Sequence, residues 1–73
     1  MTANDFEVKT LEWAKRPGLF GPAVIHKATG EIVSGAWVEG TEVEVVELQR
    51  GDRVRIAASV TTPDGSHHYS YLD

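Results

Sequence analysis

Two runs of alternating apolar and charged residues meet at a Gly-Asp pair, and this pattern constrains the fold more than any other feature of the chain. The runs cover residues 41–49 and 53–60, on either side of Gly51-Asp52. Alternation of this kind is typical of a strand that buries one face, and glycine with aspartate suits a tight turn. The sequence therefore predicts a β-hairpin with one apolar face and one charged face.

The first run contains a break in its alternation. Val43 and Val45 are predicted to point inwards, whereas further along the strand the inward pair becomes Val46 and Leu48. One extra residue in a strand is typical of a β-bulge, which bends and twists the strand. The sequence thus predicts a bulge at Val45-Val46 and a strongly bent sheet.

The second run keeps its alternation and places Arg53 and Arg55 on one face. Its other face is apolar and consists of Val54, Ile56, Ala58 and Val60. If the two runs pair around the turn, the arginines are expected to lie opposite the glutamates of the first run, which are Glu42, Glu44 and Glu47. Exposed pairs of this kind contribute about 0–1 kcal/mol each, so their main effect would be to fix the register.

Further turn signals divide the rest of the chain into short strands. Thr29-Gly30 separates residues 23–28 from residues 31–38, and Gly30 is predicted to adopt a positive φ in a hairpin. The Pro63-Asp64-Gly65 turn precedes a last strand over Ser66–Leu72.

The segment over residues 6–16 fits two structures. Its β-branched and aromatic residues favour a strand. A helix would begin after Asp5, carry Lys15-Arg16 in its last turn and end before Pro17. Strand is the preferred interpretation, and the helix stays open at this point.

Five or six short strands with tight turns indicate an all-β fold. We expect a small antiparallel barrel of SH3-like or OB-like size, with at most one short N-terminal helix. A small immunoglobulin-like sandwich is the alternative. With 73 residues, the chain is expected to form a single domain over residues 1–73.

Composition limits the functions that such a domain can have. The chain has no cysteine, which excludes disulfides, thiolate catalysis and cysteine-ligated zinc. Its net charge of −4 argues against general nucleic-acid binding. The N-terminus lacks the basic and apolar regions of a signal peptide. We therefore expect a cytoplasmic protein, or part of a particle that assembles in the cytoplasm, and no contact with membranes.

No pattern of catalytic or metal-binding residues stands out. His67 and His68 are neighbours and would point to opposite faces of a strand, so they could not both ligate one ion. The serines lie in no Gly-x-Ser-x-Gly motif. Arg50-Gly51-Asp52 spells a cell-adhesion tripeptide, but a tight turn favours the same residues. The sequence predicts no catalytic residue, no metal site and no cofactor.

Three groups of residues are candidates for binding a partner. The apolar pair Leu19-Phe20 lies between Gly-Pro elements and either plugs one end of the core or docks on a partner. Trp37 belongs to a run that is apolar on both faces, which favours a central strand or one that is covered by another subunit. The third group forms a basic strip of Arg50, Arg53 and Arg55.

These residues support three hypotheses of different classes. The preferred one is a non-enzymatic protein–protein interaction or assembly module, which binds a protein partner or a second copy of itself. The alternative is a small-barrel protein that binds nucleic acid through these three arginines and Lys27, with Trp13, Trp37 or Tyr69 as stacking faces. A minimal enzyme that uses His67 or His68, with His26 or a glutamate nearby, is the least favoured.

Overall fold

A computed structural model describes residues 2–36 and 38–73. A single 3₁₀ turn over Ala3–Asp5 precedes six strands. The strands are β1 (Phe6–Glu12), β2 (Phe20–His26), β3 (Ile32–Gly35), β4 (Glu42–Arg50), β5 (Arg53–Thr61) and β6 (His67–Tyr71). The strand interpretation of residues 6–16 is therefore confirmed over residues 6–12.

The six strands form two antiparallel sheets of three strands each. Sheet A has the order β1-β2-β3, and sheet B has the order β4-β5-β6. Each strand thus pairs with its neighbour in sequence, as short turns allow. The all-β prediction is confirmed, but the two sheets are not closed into the predicted barrel.

The predicted hairpins are present, and glycines occupy the positions that need a positive φ. Gly51 has φ +65° in the two-residue connection between β4 and β5, and Gly30 has φ +74° between β2 and β3. These dihedral angles lie in the left-handed region, where a side chain with a Cβ is strained. The turn chemistry that the sequence indicated is therefore the chemistry that joins the strands.

The core lies between the two sheets. Sheet A contributes Phe6 and Val24, and sheet B contributes Ile56, Ala58 and Val60. Partly buried side chains pack around them, namely Ala36, Val43, Val45 and Leu72. The predicted apolar face of the second run therefore forms one half of the core.

The core covers only part of each inner sheet face. Val54 lies on the same face of β5 as Ile56, yet it is 54 % exposed. Phe20 lies on the same face of β2 as Val24 and is also 54 % exposed. Both sheets therefore extend beyond the region in which they cover each other, and Phe20 does not plug an end of the core.

The predicted bulge at Val45-Val46 is wrong. The pairing of β4 with β5 is continuous from Glu42 opposite Thr61 to Arg50 opposite Arg53. Val46 and Leu48 consequently lie on the face of sheet B that points away from the core. The apolar residues change faces because the outer face has its own apolar side chains, not because the strand contains an extra residue.

Helices contribute little to this structure. Over residues 2–36 and 38–73, no helix has the length and apolar character that crossing a membrane would need.

Candidate functional site

The face of sheet B that points away from the core brings most of the chemically distinctive side chains together. We call it the outer face. Alternation along the strands assigns to it Glu42, Glu44, Val46, Leu48 and Arg50 from β4, Arg53, Arg55, Ala57, Ser59 and Thr61 from β5, and His67, Tyr69 and Tyr71 from β6.

A row of three residues crosses the middle of the outer face. Val46 pairs with Ala57, and Ala57 pairs with Tyr71. Ala57 is fully buried, Val46 is half-buried and Tyr71 is 39 % exposed. This middle row is apolar and separates two ends of different charge.

The basic end of the outer face carries three arginines, and two of them lie against one aromatic ring. The guanidinium carbon of Arg55 lies 3.9 Å from the ring centroid of Tyr71, and that of Arg50 lies 6.0 Å from the same centroid. Arg50 is also directly opposite Arg53 across the hairpin. The sequence predicted that these arginines share one face, and the register confirms this, but no sequence pattern indicated that Tyr71 lies beneath two of them.

The predicted opposition of arginines and glutamates is wrong. Arg55 pairs with Leu48, and Arg53 pairs with Arg50. Glu47 pairs with Ile56 and lies on the inner side of β4. A two-residue turn at Gly51-Asp52 requires this register, so the charges of the hairpin are separated along it rather than paired across it.

Asp73 borders the basic end. Its carboxylate accepts hydrogen bonds from the Ile56 backbone N–H at 3.0 Å and from Arg55 Nε at 3.2 Å. The hydrogen bond from Ile56, together with the bond and the charge of Arg55, lowers the pKa of the Asp73 carboxyl below its usual value. An open depression lies beside this contact, lined by Arg53, Val54, Arg55 and Asp73.

The opposite end of the outer face is acidic. Glu44 pairs with Ser59, and Glu42 pairs with Thr61. Within the part of the chain that the structure describes, neither glutamate has a basic group within 4.0 Å, and neither Arg50 nor Arg53 has a carboxylate within that distance. Both ends therefore present charge that this chain leaves unneutralised by direct ion pairs.

A serine and a histidine meet near the acidic end. Ser59 Oγ and His67 Nε2 are 2.8 Å apart, and the ring of His67 meets that of Tyr69 edge-on, with centroids 4.7 Å apart. This pair was not predicted from the sequence, although the turn at Pro63-Asp64-Gly65 indicates the hairpin that brings the two residues together. The pair lies on an open sheet face with an exposed histidine, where water is not excluded.

The other histidines lie elsewhere. His68 pairs with Val60 and is on the inner side of β6, whereas His26 is in sheet A and meets Phe6 edge-on with centroids 5.3 Å apart. Residues 2–36 and 38–73 contain no group of three or more histidine or carboxylate side chains that could hold a metal ion. Among the residues that the structure describes, His26 lies in sheet A and His67 and His68 lie on opposite faces of sheet B, so the three histidines do not converge on one site.

The predicted partner-binding residues are divided between the two sheets. Arg50, Arg53 and Arg55 lie together at the basic end of the outer face. Leu19 is half-buried, and Phe20 begins β2 in sheet A with an exposed ring. The prediction for Trp37 lies outside the described residues.

The exposed aromatic residues of the outer face were not among the partner-binding residues predicted from the sequence. Tyr69 is 49 % exposed and Tyr71 is 39 % exposed. Their alternation along Ser66–Leu72 indicated that they share a face, but only the strand register places that face beside the arginines.

No protein-family model, curated protein or solved structure is similar to this chain.

Proposed function

We propose that the chain is a non-catalytic protein–protein interaction module that binds its partner through the outer face of sheet B. The observation that carries this proposal is the contact of the exposed Tyr71 ring with Arg50 and Arg55, with the exposed Tyr69 next to Tyr71 on the same strand face. Tyrosine and arginine are enriched among the residues that dominate binding energy at protein interfaces. Both tyrosines are exposed on a sheet face, so a partner could cover them without any rearrangement of the core.

The arrangement of charge on the hairpin also supports a binding role. Arg50 and Arg53 lie directly opposite each other, and like charges in this position destabilise a sheet. Residues that lower the stability of the fold are expected at surfaces that have a function. The pair of arginines at the basic end lowers stability in this way and therefore supports a binding role for this surface.

The shape of the site favours binding over catalysis. Small-molecule sites are concave and bury most of their ligand, whereas the outer face is an open sheet surface. The contact between Ser59 and His67 is an ordinary surface hydrogen bond in this setting, because catalysis by such a pair needs an oriented base and a site shielded from water. Phe20, with its exposed ring in sheet A, is a candidate for a second contact.

The proposal can be tested by affinity capture from a lysate of the source organism, with and without nuclease. The bait proteins are the wild-type chain, a Tyr69→Ser/Tyr71→Ser variant and a control variant, Ile32→Ser/Val33→Ser. The control removes exposed apolar side chains from sheet A instead of sheet B. We expect protein partners that resist nuclease, that the control retains and that the tyrosine variant loses. Identical partners for all three baits would contradict the proposed face.

Single-stranded nucleic acid is a second candidate ligand, favoured by one observation. Tyr69 and Tyr71 lie on the same strand face, with Arg55 against Tyr71, and aromatic rings near arginines can stack on successive bases. Glu42 and Glu44 on the same face oppose this function, as does the net charge of −4. Binding of a fluorescent single-stranded oligonucleotide should then fall steeply with added salt and be lost in Arg53→Glu/Arg55→Glu. A chain that binds no oligonucleotide at low salt does not have this function.

A further inference from the structure

The outer face of sheet B carries opposite charges at equal distances from its middle row. Along β4, Glu44 and Leu48 lie two residues from Val46 in opposite directions, and Glu42 and Arg50 lie four residues from it. The neighbouring strand adds Arg53 and Arg55 to the basic end only. A face with this distribution is complementary to a copy of itself that has been rotated by half a turn.

We propose that a second copy of this chain binds the outer face of sheet B and forms a twofold-symmetric dimer. This inference rests on the proposed function, because it names the partner that the same face binds. The axis lies between the two faces, at right angles to the strands, and passes over the middle row. Each face then meets the same face of the other copy with its strands running in the opposite direction.

This axis brings unlike charges together. Glu42 of one copy faces Arg50 of the other copy, with Arg53 beside it. Glu44 faces Leu48, with Arg55 beside it on the neighbouring strand. The two middle rows pack against each other at the centre, so Val46 and the rings of Tyr71 become covered. An axis parallel to the strands would instead bring the two acidic ends together and the two basic ends together, which costs binding energy.

The size of the face predicts how strong this dimer is. Nine residues of strand at about 3.4 Å each and three strands about 4.8 Å apart give a footprint of about 30 by 14 Å, or about 400 Å² per copy. Standard stable interfaces bury about 800 Å² per partner. We therefore expect weak, micromolar or weaker association that is strengthened at low salt, because its ion pairs lie at the rim.

Two variants with reversed charges test the pairing. Glu42→Lys/Glu44→Lys makes both ends of the face basic, and Arg50→Glu/Arg53→Glu makes both ends acidic. The second variant replaces one like-charged pair across the hairpin by another, so its effect on folding should be small. Circular dichroism and thermal unfolding establish that each variant is folded before association is measured. Glu47→Lys, which changes charge on the inner side of the same strand, is the matched control.

Sedimentation equilibrium at low salt, with chain concentrations up to about 1 mM, measures the association. We expect the wild type and Glu47→Lys to dimerise, and each reversed-charge variant alone to associate at least about tenfold more weakly. An equimolar mixture of the two variants should form a heterodimer that is tighter than either homodimer. The combined variant, which carries all four reversals in one chain, should associate more tightly than either reversed-charge variant alone, because the residues at positions 42 and 50 again carry unlike charges. Its dimer should stay weaker than the wild-type dimer, because the unchanged Arg55 now approaches a lysine at position 44.

Other results would overturn the dimer. A wild-type chain that stays monomeric under these conditions has no such interface. Dimers that survive in both variants, or variants that do not associate when mixed, place the contact elsewhere. A monomeric wild-type chain that still loses captured protein partners in Tyr69→Ser/Tyr71→Ser would exclude the second copy and leave the proposed function standing. A monomeric chain with no such partners would contradict both.

Discussion

The guanidinium carbon of Arg55 lies 3.9 Å from the ring centroid of Tyr71 and thereby connects the central strand of sheet B to its edge strand. The same side chain donates to the carboxylate of Asp73. One arginine thus holds the end of β6 in place through an aromatic ring and through an ion pair. The edge strand has no buried residue of its own, so these contacts add to the backbone pairing that joins it to β5.

A double-mutant cycle of Arg55→Ala and Tyr71→Ala should reveal a favourable coupling of about 0.5–1 kcal/mol in the free energy of unfolding, because an exposed cation–π contact has this magnitude. Urea unfolding of the wild type, both single variants and the double variant measures it. The cycle of Arg50→Ala with Tyr71→Ala is the control, and its coupling should be smaller at a separation of 6.0 Å. Equal coupling in both cycles would show that the short contact has no special weight.

Asp73 makes the stability of the chain depend on pH in acid. Its pKa is lowered in the folded state by the bond from Ile56 and by Arg55, so the charged carboxylate favours folding. This contribution is fully present above the unfolded-state pKa of about 3.9 and is lost as the pH falls through the lower folded-state pKa. Asp73→Asn should therefore unfold at a lower urea concentration than the wild type at pH 7, and this difference should shrink at lower pH. A difference that stays constant down to the acid transition would contradict the role of the charge.

Gly40 is expected to tolerate alanine less well than Gly65. Both glycines have a positive φ, of +84° and +87°, so alanine strains the backbone to a similar degree at both sites. At Gly40 the new Cβ would also lie 3.1 Å from Cγ of Pro63, whereas no atom lies within 4 Å at Gly65. Thermal unfolding should show a larger loss for Gly40→Ala than for Gly65→Ala. Equal losses would mean that Pro63 moves aside at no cost.

Two positions on the same face of β5 should respond very differently to truncation. Ile56 is 2 % exposed in the core, and Ile56→Ala is expected to cost about 2–5 kcal/mol. Such a loss is comparable with the whole stability of a chain of this size, which is about 4–11 kcal/mol. Val54→Ala should change the free energy of unfolding by less than about 0.5 kcal/mol, since Val54 is exposed. Chemical denaturation of both variants tests the position at which the core ends.

Phe20→Ser distinguishes a core plug from an exposed ring. A phenylalanine that fills the core costs about 3–5 kcal/mol when it is truncated, whereas the exposed ring of Phe20 should cost clearly less. Urea unfolding at neutral pH gives the value, with Phe6→Ser as the buried reference. A loss as large as that of Phe6→Ser would contradict the exposure of Phe20.

Local features of the fold could be read from the sequence because short-range chemistry determines them. The turns at Gly30 and Gly51 require a positive φ, and the alternation of residues 53–60 reflects one buried face. The two-residue connection at Gly51-Asp52 also fixes the pairing of Arg50 with Arg53, so the error about opposed arginines and glutamates was avoidable.

The remaining features depend on contacts between distant parts of the chain. Val46 and Leu48 suggested a bulge because two structures produce the same sequence pattern. In one, a bulge turns these side chains towards the core; in the other, which the structure has, they are apolar residues of the outer face. The way in which sheet A covers sheet B depends on packing between Phe6 and Ile56, which lie fifty positions apart. Predicting the site requires both local and long-range information. The alternation of the sequence shows that the tyrosines share a strand face, whereas their position beside the arginines depends on the register between β5 and β6.

The two sheets cover each other over only part of their length, and this affects the motion of the uncovered parts. Near the turn, the β4–β5 hairpin extends past the last buried side chain, and Val54 on its inner face is open to solvent. Segments with few buried contacts open at low free energy, independently of global unfolding. Backbone amides near Arg50 and Arg53 should therefore exchange with solvent deuterium much faster than those around Ala58. A partner bound at the basic end would slow exchange in the hairpin tip and leave the core rates unchanged, so exchange rates could report binding residue by residue.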